Sequence, residues 1–562
     1  MIKIGIEALK QKKALLAGLD LDFEQYRPHF QEVAKFILPR RYTWLMKNHA
    51  QGVMASSRKA PTNTYILDST ATSANRVLAN GLMNSVTSPA RSWFRLRLHS
   101  FPNDLEAYPV PFIRWLEEVK RRMEIILSES NYYNSQAVHY AELTGFGTAA
   151  MLIYEDFDDV IRCYGSPMGE YRLIQDDRRD IVGLSRQFHL TVAQTVKRFG
   201  IKNVSDEVKN KYNMKGASLL QSVSISHLIE PNDQDDPAKI APSFKFRELY
   251  WESANSTMGN LLELKGFYEK PLVAARWELQ GDDVYGTGPA LDAIADIKQL
   301  QLETKQLLQA LDKMIRPPIV ADQALRGNAS ALLPGGTSYV GQNSFGAKPI
   351  YTVNPPVGEM HQTIQDLQTR IRELFYNHLF RNVSQLDTVR SAAEVYERKA
   401  EDMLMLGGVL ERIQNEDLDP VIQRTYAIME RKGLLPEPPA GLDPATLDIQ
   451  YVSILADAQR AAGTGSIERF WQAIGELGAT RPEVLEIPNY NEQVRDYAAM
   501  LNVPASGLKT RQEVNDLAAK QAEQLEAQEA ALVGTELTNA TKNLAQSDIG
   551  GGQNALQGLI GG

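Results

Sequence analysis

Apolar residues recur at steps of three and four in two stretches of the second half of the chain. In the first, Leu291, Ile294, Ile297, Leu300, Thr304, Leu307, Leu311 and Met314 fall on one helix face. In the second, Met360, Ile364, Leu367, Ile371, Leu374 and His378 do the same, which places His378 on a packed stripe. A helix from Pro289 to Arg316 would run about 40 Å. Between the two lies a segment from Arg316 to Gly358 rich in Pro, Gly and Ser, which forbids a long helix; its Ile-Val and Tyr-Val pairs predict short strands. Two rods with a small tip result. On pattern alone such stripes fit core helices or an antiparallel hairpin more often than a subunit interface. The first rod, however, also carries Asp292, Asp296, Gln299, Gln301, Glu303, Lys305, Gln306, Gln309, Asp312 and Lys313. That broad hydrophilic surface suits a wall packed on one side and wet on the other.

Upstream, the pattern shortens. A helix is predicted from Ile66 to Ser85, with Pro89 marking its end, and "SWFRLRL" alternates as a strand. Two helices follow between residues 110 and 155, then "AAMLIYED" as a strand. Short strands with turns then dominate to about residue 280, including "YRLIQDD", "VGLSRQFHL", "FRELYWES" and "KPLVAARWEL". Residues 1–285 therefore read as an α+β body. Downstream of the second rod come a polar loop, a helix from about Val389 to Ile413 with Gly407 and Gly408 as its weak point, and the break "LLPEPPAGLDP". Helices are expected over 466–503, then a Gln, Glu and Ala-rich helix, and disorder over 531–562.

Composition narrows the class. A chain of 562 residues has ample material for several domains and a buried core. Its single cysteine, Cys163, rules out an intrachain disulfide and makes a Cys-based zinc site implausible, which fits a reducing cytoplasm. The N-terminus lacks the long apolar stretch of a signal peptide, and no run reaches the roughly eighteen apolar residues of a membrane span. The net charge of −9 matters more, because a protein that grips duplex DNA tightly presents a basic surface. The local clusters Arg91, Arg95 and Arg97, or Arg370 and Arg372, are offset by nearby acids. Weak, dispersed contact with sliding DNA is compatible with this balance.

Catalytic motifs are missing. The nearest approach to a phosphate-binding loop, "GQNSFGAK" from Gly341 to Lys348, lacks the Gly-Lys-Ser/Thr that cradles phosphates and reads as a turn. No zinc-protease motif, EF-hand loop or nucleophile elbow occurs. The acidic run Glu155 to Asp159 reads as a solvated turn, and the histidines are scattered without ligand spacing. No catalytic residue, metal ligand or cofactor is expected.

A resemblance adds to this. "YGTGPALDAIADIKQLQLETKQLLQALDKMIRPPIV" resembles the first stem helix of the portal proteins, or head-to-tail connectors, of short-tailed, T7-like bacteriophages. "PLVAARWELQGDDVYG" is similar to the strand and Tyr-Gly turn that lead into it, and "RNVSQLDTVRSAAEVYERKAEDMLMLGGVLERIQNEDLDPVIQRTYAIMERKGLLPEPP" to the channel loop and following helix. "DSTATSANRVLANGLMNSVTSPARSWFRLRL" matches a helix-then-Trp-Phe pattern of the same family. The resemblance implies an α+β portal fold: wing over 1–285, stem helices over 286–316 and 357–380, and a clip over 317–356. It further implies a channel loop over 381–388, a long helix and connection over 389–444, and a crown over 445–530. It implies stem packing by Leu291, Ile294, Ile297, Leu300, Leu307, Leu311, Met314, Ile364, Leu367, Ile371 and Leu374. Arg381, Asn382, Val383, Ser384, Gln385 and Leu386 would face DNA, and Asp322, Arg326 and Lys348 of the clip would meet the terminase and then the tail adaptor. The implied partners are further copies in a dodecameric ring, double-stranded DNA bound without sequence preference, the terminase large subunit, the major capsid and scaffolding proteins, and a tail adaptor. The implied location is the capsid portal vertex, reached through the host cytoplasm. A non-viral scaffolding protein with a coiled-coil hairpin is the alternative.

Overall fold

In the computed structural model, residues 2–3, 6–45, 66–98, 110–236, 239–254, 260–316, 319–321, 347–349, 355–381, 406–439, 447–451 and 511–546 are described, with scattered positions between 467 and 498. The N-terminal half interleaves helices and antiparallel strands. In chain order it holds α1 (Ile6–Phe36), α2 (Thr70–Val86), β1 (Phe94–Leu98), α3 (Val110–Glu129), α4 (Tyr132–Phe146), β2 (Thr148–Asp156), β3 (Val160–Ser166), β4 (Tyr171–Gln175) and β5 (Ile181–Thr191). Then come α5 (Val192–Phe199), α6 (Asp206–Met214), β6 (Ser222–Pro231), β7 (Phe246–Glu252), β8 (Glu263–Phe267) and β9 (Leu272–Arg276). The second half is helical: α7 (Ile294–Ile315), α8 (Val357–Leu374), α9 (Asn377–Arg381), α10 (Gly407–Ile413), α11 (Asp419–Arg431) and α12 (Arg511–Gln546), with the short strands β10 (Ile319–Ala321) and β11 (Ala347–Pro349) pairing between α7 and α8. Mixed helix and antiparallel sheet is the expected α+β class.

Strands β8-β7-β6-β5-β4 form one antiparallel sheet, and β9-β2-β3 a second. The period of two sends alternate residues to opposite faces of the larger sheet. Leu228, Leu249 and Trp251 pack with Leu9 of α1, whereas Ile225 and Tyr250 pack with Val192, Val196 and Phe199 of α5. Charge fixes the same helix: Lys12 pairs with Glu230 at 2.8 Å and Asp236 at 2.6 Å, and Arg247 pairs with both acids at 2.7 Å. Each buried cation thus meets two carboxylates, as burial of charge requires.

The chain divides into two compact units. One holds residues 1–96, 118–437 and 448–463; the other holds 97–117, 438–447 and 464–562. Within the second, Trp471 meets Phe470 edge-on at 6.0 Å and Tyr490 at a tilt at 5.0 Å between centroids, and α12 runs to Gln546. Of the segment 531–562 expected to be disordered, residues 531–546 continue this helix, and 547–562 lie outside the described residues.

Two glycines set where the first rod leaves the body. Gly147 ends α4 at φ +73°, donating its N–H to the carbonyl of Leu143 at 2.8 Å. There it crosses the Tyr-Gly turn so closely that a Cβ on Gly147 would stand 2.5 Å from the Gly286 carbonyl, and one on Gly286 2.5 Å from the Gly147 carbonyl. Gly286 N–H donates to Thr148 Oγ1 at 2.8 Å, Trp277 N–H to the Gly147 carbonyl at 2.8 Å, and Tyr285 stands edge-on to Phe23 and Phe30. Gly147→Ala should cost about 3 kcal/mol or more, from left-handed strain plus a backbone clash. Gly433→Ala, at φ +66° but with open space around it, should cost only about 1 kcal/mol. Urea unfolding midpoints of the two variants check this; equal losses would show that the crossing is not tight.

Candidate functional site

The paired rods are the candidate site. The first starts with Pro289–Asp292, a single turn with Pro at its first position, and continues as α7 after Ala293. Ile297 and Leu300 of α7 are fully buried, and Ile364, Leu367 and Ile371 of α8 are buried along the same packing stripe. Leu291, Ile294, Leu307, Leu311 and Leu374 are half-buried. Cover thins toward the far end of α7, where Leu308 is 53 %, Met314 43 % and Ile315 77 % exposed; Leu302, 54 % exposed, faces away from the packed stripe. The inner part of the stripe is satisfied within one chain and the outer part is not.

Polar contacts pin the rods at their base. The side-chain oxygen of Gln301 accepts the N–H groups of Leu67 at 2.7 Å and Asp68 at 3.0 Å, while its nitrogen donates to the Asp68 carbonyl at 2.8 Å. Asp68 in turn accepts from Thr70 N–H and from Gln368 Nε2 of α8, each at 2.8 Å. One amide thus fastens the chain entering α2 to the first rod, and one carboxylate fastens it to the second. Gln301 was expected on the wet face; it is 6 % exposed because it serves as a surrogate backbone partner. Across the rods Arg370 donates to Asp296 at 2.9 Å, and this pairing raises the guanidinium's pKa. Nearby, partial burial raises the carboxyl of Asp292 and the phenol of Tyr376, each further by the charge of neighbouring acids.

The second rod is not a continuous helix to residue 380. It breaks at Phe375 and Tyr376, the latter at φ +53°, and restarts as α9. The break turns the stripe, so Phe375 and Leu379 are buried and His378 is exposed, contrary to the expected packed position. Phe380 closes against Gly81 of α2, where a Cβ would stand 2.5 Å from its ring, so glycine admits the ring.

Of the expected DNA-facing residues, Arg381 ends α9, and Asn382, Val383, Ser384, Gln385 and Leu386 lie outside the described residues. Of the expected docking residues, Lys348 is exposed on β11, and Asp322 and Arg326 lie outside the described residues. The predicted helix from Val389 is described only from Gly407, and it runs beyond Ile413 through a widened turn to Arg431. Among the described residues no cluster of His, Cys, Asp and Glu is fit to hold a metal ion, and no helix is long and apolar enough to cross a membrane.

The family model described as "Bacteriophage head to tail connecting protein" matches residues 9–508. A portal protein of Salmonella phage epsilon15 is 36 % identical over 539 residues, 95 % of this chain and 94 % of its own. A probable portal protein of Bordetella phage BPP-1 is 34 % identical over 540 residues, 95 % of each chain. A chain from the solved virion of a native gene transfer agent particle aligns over 76 % of this chain and 91 % of its own, at 11 % identity and a TM-score of 0.36, too distant to carry an argument.

Gln301→Ala should destabilise the protein by about 1–3 kcal/mol, because two backbone N–H groups lose their acceptor. Gln299→Ala, on the exposed face one turn-fraction away, should stay within about 0.5 kcal/mol of the parent. Thermal unfolding of both variants decides whether the Gln301 amide fastens the rod.

Proposed function

We infer that this chain, which belongs to the bacteriophage head-to-tail connecting protein family, is the portal of a phage capsid and works there as a closed ring. The single observation that carries the ring is the outward loss of cover along the first rod. Leu308 and Ile315 are each more than half exposed on a helix whose inner Ile297 and Leu300 are fully buried. Neighbouring copies would cover that surface, and a heterologous contact that closes leaves no open end. Twelve copies is the number that the family resemblance implies.

In this reading the body is the wing, the rods are the stem, and the segment between β10 and β11 belongs to a clip that meets the terminase large subunit during packaging and the tail adaptor afterwards. The role is structural, with DNA driven through the ring by a separate ATPase. Arg381 at the end of α9 begins the channel loop. One arginine per copy, followed by short polar residues, suits weak, salt-screened contact with sliding phosphates, and fits the net charge of −9. The capsid and scaffolding proteins would meet the outer face of the ring.

Two experiments test this reading. Leu308→Asp combined with Ile315→Asp should leave the body folded while abolishing the high-mass oligomer in mass photometry; an unchanged oligomer would exclude the rods as its contact. Arg381→Glu should leave assembly intact but shorten the packaged DNA or its retention in the head. Normally filled, infectious particles from that variant would show that Arg381 does not act on DNA.

A further inference from the structure

The helix of residues 407–431 is interrupted by a π turn, Gln414–Leu418, and its cause is legible in the sequence. Pro420 has no N–H, and its ring would press on the carbonyl of Glu416 in a regular helix. Widening to a π turn relieves this: Asp419 N–H donates to the Gln414 carbonyl, five residues back. The wider turn drives Asp417 inward until it is 0 % exposed. There one carboxylate oxygen accepts from Gln136 Nε2 of α4 at 2.5 Å, and His139 Nε2 lies 3.8 Å away. The other carboxylate oxygen, Gln136 Oε1, both His139 ring nitrogens and the Tyr132 hydroxyl are buried without a hydrogen-bond partner. Glu416, the next residue, points the other way and grips Arg276 of β9, accepting from its N–H at 2.9 Å and from Nη2 at 2.6 Å.

We propose that this turn is a proton-dependent latch, in which neutral Asp417 holds the π turn, residues 414–418, on α4 and its ionisation releases it. The Glu416–Arg276 pair, with Arg412 Nη1 donating to the Trp277 carbonyl at 2.9 Å, is the part of the attachment that does not respond. The titratable groups facing Asp417 are His139, Tyr132 and Tyr140 of α4, Cys163 of β3, and Glu416 beside it. None supplies a positive charge: burial alone lowers His139 to about 3, so the imidazole is neutral. The two phenols are raised chiefly by burial and stay protonated, and Cys163 is pushed up to about 12 for the same reason. Burial likewise raises Asp417 from 3.8 to about 7, against the smaller opposing effect of the Gln136 hydrogen bond. A carboxyl raised on folding contributes stability that is complete below its unfolded value and is lost as pH rises through about 7.

Hydrogen exchange followed by mass spectrometry on the full-length protein, between pH 6 and pH 8, reads the latch directly. Protection factors of amides in 414–418, corrected for intrinsic exchange, should fall about tenfold across that interval. Those of β5 and β6 should hold. Asp417→Asn should remove the dependence, whereas Glu416→Gln should lower protection equally at every pH and leave the dependence in place. Equal protection at both pH values in the parent would overturn the proposal. So would a dependence that survives Asp417→Asn, or one that disappears in His139→Gln instead, which would make the imidazole the titrating group.

Discussion

Backbone against backbone, with no side chain between, is the contact on which the rest of the structure depends. At the crossing of Gly147 with Gly286, the end of α4 meets the turn that launches the first rod. The same residues bind the turn to the start of β2 and to Trp277, so a helix terminus, a sheet and a rod are fixed within one short stretch. Tyr285 then seats the turn in the aromatic cluster of α1. A side chain at the crossing would push the rod off this seat, and every contact further along it would shift in proportion.

From that anchor the rods are held first by polar groups and then by apolar ones. Gln301 and Asp68 complete backbone hydrogen bonds at the base, and Ile297, Leu300, Ile364, Leu367 and Ile371 bury the inner stripe. Beyond Leu311 the single chain has little left to offer the helix. A helix of this length packed on one side only is poorly supported by its own propensity, because helices in proteins gain most of their stability from tertiary contact. On the proposed reading, assembly into a ring would answer that deficit without a dedicated new surface. Strong cross-rod attraction between charges is not required, since exposed pairs such as Arg370 with Asp296 contribute little.

Periodicity made the rods legible, because the 3.6-residue repeat extends over many turns and survives a misplaced end. Strand β1 was legible from its alternation, and β2, β4, β5, β7 and β9 as short apolar runs bounded by turns. Strands β3 and β6 and helices α5 and α6 were not singled out, being short and mixed in polarity: "VIRCYGS" and "SVSISHLIEP" carry serines, a cysteine and a histidine inside the core. Gln301 was misread because a glutamine on a heptad flank looks wet until its hydrogen-bond partners are known. His378 was misplaced because the stripe was carried through Phe375 and Tyr376, where the backbone turns out of the helix. The π turn had a visible signal in Pro420, yet the inward rotation of Asp417 depends on α4, which lies far away in sequence. The order of segments that carries the family resemblance, by contrast, needed no tertiary information.

The central claim is that copies of this chain complete one another by closing around the rods. Cryo-electron microscopy of the purified full-length protein, without DNA or other phage components, tests it most directly. The account predicts closed rings with a central hole, with the rods of adjacent copies packed side by side so that Leu308 and Ile315 are covered. Separate monomers, open filaments, or rings in which those two residues remain exposed to solvent would contradict it.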